Sequence, residues 1–249
     1  MAELDTCGTD GLAMRGKIEN ERAAARAVES MRVVSVNVGL PRTVHWKGRD
    51  VTTGIFKDPV EGRIGLRRLN LDGDGQGDRT VHGGAAKAIY AYPLDHYAFW
   101  RERLEVDLPF GAFGENLTVE GLPLEDEIAV GDRFRIGTAE LVVTQPRVPC
   151  YKVGLRFGRE DMVKRFVASR RSGYYLAVEA EGDVAAGDRV ETLAHDPARI
   201  PVAEITRVFF SDRDDFAAIE RLVALHALPE DWRSHFERKL EKHYQAVRR

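Results

Sequence analysis

From Met31 to about Leu193 the chain alternates apolar and polar residues in short runs separated by Gly and Pro, the period-two pattern of half-buried strands. The runs at 33–38, 86–92, 133–136, 140–145, 174–180 and 189–193 are expected strands. Two stretches switch to helical spacing. After Pro93, which suits a first helical turn, Leu94, Tyr97, Trp100 or Arg101 and Leu104 form one stripe; residues 160–169 place Met162, Val163, Phe166 and Val167 on another. Beyond His195-Asp-Pro197 the strand pattern stops and three short helices are expected. Phe216, Ile219, Leu222 and Val223 share one face, Trp232, Phe236, Leu240 and Tyr244 recur in steps of four, and Pro201 and Pro229 mark helix starts. The expected architecture is mainly β with α additions over residues 31–197, followed by a small three-helix C-terminal module at 198–249; residues 1–30 are expected to be a poorly ordered extension.

Composition narrows the function. Hydrophobic residues make up 43% and charged residues 31%, and no apolar run approaches the roughly 20 residues of a membrane span. With Lys+Arg 37 against Asp+Glu 40, the formal charge of -3 offers no basic footprint for nucleic acid or an anionic membrane, which leaves small-molecule chemistry as the expectation. Cys7 and Cys150 are the two cysteines, too few for a disulfide framework, and point to a reducing, cytoplasmic setting. Arg15, Lys17, Arg22 and Arg26 lie in an Ala-rich stretch of the kind found in organelle-targeting peptides, but Glu19, Glu21 and Glu29 oppose that reading, and no secretory apolar region is present.

The Gly-rich run from Asp72 to Asp78 fails as a calcium loop, because the fifth position is Gln76 and the twelfth is Gly83; a mobile surface loop is the expectation. Gly73-x-Gly75-x-Gly77 lacks the strand-to-helix setting of a dinucleotide fingerprint, and no phosphate loop occurs. Gly-Asp-Arg recurs at 77–79, 131–133 and 187–189 as a turn idiom leading into strands. In His82-Gly83-Gly84 the glycines permit close backbone approach to a ligand beside an imidazole, although a Gly-Gly turn with a satisfied His beside it is the default reading. Asn116, in Phe113-Gly-Glu-Asn-Leu117, could read an amide-like ring edge or simply shape a turn. In Gln145-Pro-Arg-Val-Pro-Cys-Tyr-Lys152, two prolines hold the backbone extended. Arg147 and Lys152 flank Cys150; positive charge favours the thiolate that ligates soft metals, and a guanidinium suits phosphate. The residues alone favour an inert buried cysteine, and one thiol cannot complete a zinc or iron–sulfur site.

In order along the chain, Val81-His-Gly-Gly84, Ala88-Ile-Tyr-Ala-Tyr-Pro93, Phe113-Gly-Glu-Asn-Leu117, Gln145-Pro-Arg147 and Pro149-Cys-Tyr-Lys152 resemble the MOSC domain, the fold shared with the C-terminal part of molybdenum-cofactor sulfurases. They resemble specifically its bacterial YiiM-type members, whose three-helix domain the C-terminal residues also resemble. Ala85-Ala86 departs from the family, which usually carries an acidic residue at the second position. The resemblance implies a β-barrel-like fold and a molybdenum cofactor (Mo-molybdopterin), with Cys150 as metal ligand and catalytic residue. It makes Arg147 a candidate for the cofactor phosphate with Lys152 nearby, and His82, Gly83, Gly84 and Asn116 candidates for the pocket wall. It further implies reduction of N-hydroxylated compounds, such as hydroxylamino-purines, to the amine and water, with His82 as proton donor and a separate flavoprotein or other reductase as electron donor. A homodimer through the C-terminal module is compatible with the pattern, as is intrachain packing. The alternatives are a molybdenum-cofactor carrier or sulfur-handling module without turnover, and a metal-free β-barrel that binds phosphate ligands or RNA.

Overall fold

The computed structural model describes residues 31–77 and 83–248, so the expected N-terminal extension and His82 lie outside the described residues. Twelve strands and six α-helices follow one another among them. The strands are β1 (Arg32–Val38), β2 (Arg42–Trp46), β3 (Arg49–Thr53), β4 (Asp58–Pro59), β5 (Ile64–Leu66), β6 (Ile89–Pro93), β7 (Leu117–Glu120), β8 (Arg133–Ile136), β9 (Ala139–Pro146), β10 (Tyr174–Ala180), β11 (Gly182–Val184) and β12 (Val190–Ala194). The helices are α1 (Asp95–Leu104), α2 (Tyr151–Phe157), α3 (Met162–Ser169), α4 (Val202–Phe210), α5 (Phe216–Val223) and α6 (Glu230–Val247).

Eight strands form one mixed sheet in the order β12-β8-β9-β10-β6-β7-β1-β4, with β6 and β7 parallel and the other pairs antiparallel. The sheet curls until Arg32 bridges Arg189 and the Val190 amide donates to the Met31 carbonyl at 2.9 Å. The ladder is not closed, however. The barrel-like expectation therefore holds as a curl, while the shorter pairs β2–β3 and β5–β11 form separate two-stranded sheets.

β6 shows how the sequence places the layers. All five of its residues are buried, with Ile89 and Ala91 facing one core and Tyr90 and Tyr92 the other, as successive side chains on a strand must. The larger core runs from Val33, Leu117, Val143 and Leu176 of the sheet into Ile205, Ile219 and Phe236 of the C-terminal helices without interruption. The second core is aromatic: Tyr92, Tyr97, Trp100, Phe113 and Phe166 pack on the opposite face.

The expected strand at 86–92 is shifted, because Ala85–Lys87 form a 3-10 turn whose Ala86 carbonyl accepts from Thr144 Oγ1 at 2.7 Å and Gln145 Nε2 at 3.2 Å. Pro93 closes β6 instead of opening α1. The C-terminal helices start where the prolines indicate, with Pro201 and Pro229 preceding α4 and α6.

Candidate functional site

β9 delivers the site. Its last residue, Pro146, is followed by Arg147, whose amide donates to the Gly173 carbonyl at 3.1 Å, and the extended segment ends at Cys150, with φ -120° and ψ 174°, immediately before α2. Cys150 is half-buried on the wall of an open cleft of about 620 Å³. Arg147, Lys152 and Asn116 line the same cleft, so four residues singled out in the sequence are brought together.

Arg147 is 7% exposed, and its Nη1 is buried without a hydrogen-bond partner. No carboxylate among the described residues forms an ion pair with it. Its guanidinium lies 5.5 Å from the Tyr90 ring centroid and 5.4 Å from that of Phe166, so ring quadrupoles provide part of the lost solvation. Tyr175 shares the cleft wall; burial pushes its phenol up, and the charge of the guanidinium pulls it back. A buried cation without a counter-charge is costly, and an anion held in the cleft would supply the missing partner.

The other side of the cleft rests on a buried pair, Lys57 and Asp74. Burial pushes the Lys57 ammonium down, while contact with Asp74 opposes the shift. Asp74 also accepts from the Gly39 amide and from Asn116 Nδ2, each at 2.9 Å. Asn116 Oδ1 accepts from the Tyr90 amide at 3.0 Å, so this side chain ties β6 to the glycine-rich segment. That segment is irregular and partly exposed, as expected of a surface loop, but its described residues pack closely: a Cβ on Gly75 would lie 2.2 Å from Pro41 Cδ, and one on Gly54 would lie 2.4 Å from the Gly75 carbonyl oxygen. Close backbone packing requires the glycines.

Gly83 and Gly84 do not line the cleft themselves. The Gly84 amide donates to Gln76 Oε1 at 3.3 Å, and Gln76 is a lining residue, which makes Gly84 a support behind the wall. Its φ of 96° is accessible to glycine and strained for other residues. Lys57, Asp74, Gln76 and Tyr175 were not singled out from the sequence; the signal for Asp74 lay in the glycine-rich run, where a loop explained it.

A second groove of about 1010 Å³ lies between the sheet and the C-terminal helices, and it shares Lys87, Cys150 and Tyr175 with the first. Trp232, expected only as helix core, lines it together with Phe209 and His235.

Among the described residues no cluster of three His, Cys, Asp or Glu side chains could cage a bare metal ion. One thiol beside an unpaired buried guanidinium fits instead a metal that arrives on an anionic organic carrier with ligands of its own. The donor set therefore fits a pterin dithiolene molybdenum cofactor.

A curled mixed sheet carrying a cysteine after its long strand, and followed by three helices, defines a MOSC domain with an appended helical module. Residues 78–191 match the family described as MOSC domain, and residues 200–243 match the YiiM-like, 3-alpha helix domain. The chain belongs to the YiiM-like MOSC-domain family. It is 40% identical over 214 residues to the uncharacterized protein YflK of Bacillus subtilis, covering 86% of this chain and 96% of that one. It is similar to the crystal structure of YiiM from Geobacillus stearothermophilus at 34% identity and TM-score 0.72, covering 85% of this chain and all (100%) of that one. A protein named reductase from Gibberella moniliformis is 30% identical over 165 residues, 65% of this chain but 29% of that longer protein. MOSC domains in general bind the molybdenum cofactor. Among the described residues no helix is long and apolar enough to cross a membrane.

Proposed function

We propose that the chain is a molybdenum-cofactor-dependent reductase of N-hydroxylated compounds. The reaction is R–NH–OH + 2 H⁺ + 2 e⁻ → R–NH2 + H2O: the N–O bond breaks, and new N–H and O–H bonds form. The observation that carries this reading is Arg147, a buried guanidinium with an orphaned Nη1 on the wall of a cleft that ends at a thiol. Arg147 would hold the cofactor's phosphate, with Lys152 at the same wall, and Cys150 would ligate the metal. When bound, the cofactor supplies a two-electron redox couple. The chain's part is to hold that group and keep its wall rigid, through Asn116 and the Lys57–Asp74 pair. His82 is proposed as a proton donor on the ground of its near-neutral imidazole alone. Electrons come from a separate flavoprotein or other reductase. A reductase among the relatives supports this direction of chemistry.

The test is to reconstitute the full chain with cofactor and a chemical reductant and offer 6-hydroxylaminopurine. Turnover is expected; Cys150→Ser should stay folded by circular dichroism and lose about 100-fold or more of the rate while keeping part of its cofactor. Arg147→Ala should release cofactor about 10- to 100-fold more readily, the effect of losing a charge-assisted contact of about 1.5–3 kcal/mol. Tight cofactor binding with no turnover above free cofactor would establish a carrier instead. A folded, metal-loaded Cys150→Ser protein working at the parent rate would remove the thiolate from the mechanism.

A further inference from the structure

We propose that the three-helix module forms the substrate-recognition wall of this site, and that the groove lined by Phe209, Trp232 and His235 takes the flat, uncharged aromatic nitrogen heterocycle that bears the hydroxylamino group. The inference rests on the reductase reading above, and it assigns to the C-terminal helices a role in choosing the substrate.

Position is the first argument. The groove and the cofactor cleft meet at Lys87, Cys150 and Tyr175, so a ring lying against the helices would carry its substituent to the thiol that borders both. Rigidity is the second. Trp232 is 7% exposed, its Nε1 donates to Gln145 Oε1 at 2.6 Å, and Phe236 stacks on it with centroids 5.6 Å apart. An indole held on two sides is ordered before any ligand arrives, so little entropy is lost on binding.

Shape is the third. The Phe209 ring stands 77° from the Trp232 plane with centroids 5.0 Å apart, which makes an aromatic corner. A flat ring can stack on one wall and set its edge against the other, the two arrangements aromatic pairs prefer; an alkyl chain would gain from neither. The charge at the rim fits a neutral occupant, because Lys87 pairs with Asp231 at 3.0 Å. Partial burial, then the nearby Arg238 and Lys239, pushes the His235 imidazole down, which favours the neutral ring with one donor and one acceptor for ring nitrogens and exocyclic amines.

The experiment uses the full chain without cofactor and titrates adenine, the ring without its N-hydroxyl group, by isothermal calorimetry. Saturable binding is expected, and Phe209→Leu, which keeps apolar bulk but removes the ring, should weaken it about tenfold, the scale of one base–aromatic stack. His235→Ala, with folding checked by circular dichroism, should weaken it as well. In the loaded enzyme Phe209→Leu should lower the ratio of kcat/KM for 6-hydroxylaminopurine to that for N-hydroxyurea about tenfold. If adenine does not bind, or if folded Phe209→Leu and His235→Ala bind it like the parent, the inference is overturned whatever the reductase assay gives. If adenine binds and both variants weaken it while no N-hydroxylated compound is reduced, the groove stands as a ring-binding site and the reductase reading falls.

Discussion

Behind the cleft, Glu115 is fully buried and collects donors from four directions: the Gly111 and Phe113 amides at 2.9 and 3.0 Å, Thr118 Oγ1 at 3.0 Å and the Tyr97 hydroxyl. Burial holds its carboxyl above the ordinary 4.5, and the donors pull it back. A carboxyl that titrates higher in the native than in the unfolded chain contributes stability in full below pH 4.5 and loses it as pH rises through the native value. Glu115→Gln cannot titrate and turns an N–H group toward one of the amides. It should therefore destabilise by about 1–3 kcal/mol near pH 5 and by less at pH 7.5, read from urea melts at both. Parent-like stability, or a gap that widens with pH, would refute the assignment. In the Phe113–Leu117 motif Asn116 was singled out for the pocket wall, and it lines the cleft; that it also braces the backbone is beyond one sequence, because its partners lie on β1, β6 and the glycine-rich segment. Cys150, Arg147 and Lys152 were legible because six residues of chain hold them together. Lys57 and Asp74 were not, since only the tertiary fold makes them meet.

Among the elements, β8, β9 and β10 were readable because one face of each is buried and every second side chain must be apolar; β2, with its largely exposed pattern, gave no such signal. α2 was missed because Pro146 and Pro149 indicate extended backbone, which they do produce, up to the cysteine where the helix begins. The packing of the glycine-rich segment was hidden for another reason: composition reports freedom to adopt unusual backbone shapes, and here close packing against residues 53–54 and Pro41 uses that freedom. Gly54→Ala should push β3 and residues 75–77 apart, cost about 1–3 kcal/mol and weaken cofactor retention at the same wall. Chemical denaturation and a pterin-release assay measure the two effects, and a variant that matches the parent in both would show that this contact yields without harm.

At the scale of the whole molecule, the change of pattern near Pro197 marks the place where strands give way to helices, while the larger core continues across it from Val190 to Ile205 and Phe236. Removing the helices would bare sheet residues that have no other cover. Calorimetry of the full chain should accordingly give one unfolding transition with agreeing calorimetric and van't Hoff enthalpies, and a chain ended at Asp196 should aggregate; two separate transitions would mean that the parts fold independently. Among the described residues the two cavities share Lys87, Cys150 and Tyr175; residues 145–152 supply side chains to both, while the glycine-rich segment lines the first alone and α4 and α6 line the second alone. With cofactor and ring lodged as proposed, such a border would let the lodger on one side stay through many cycles while visitors on the other come and go.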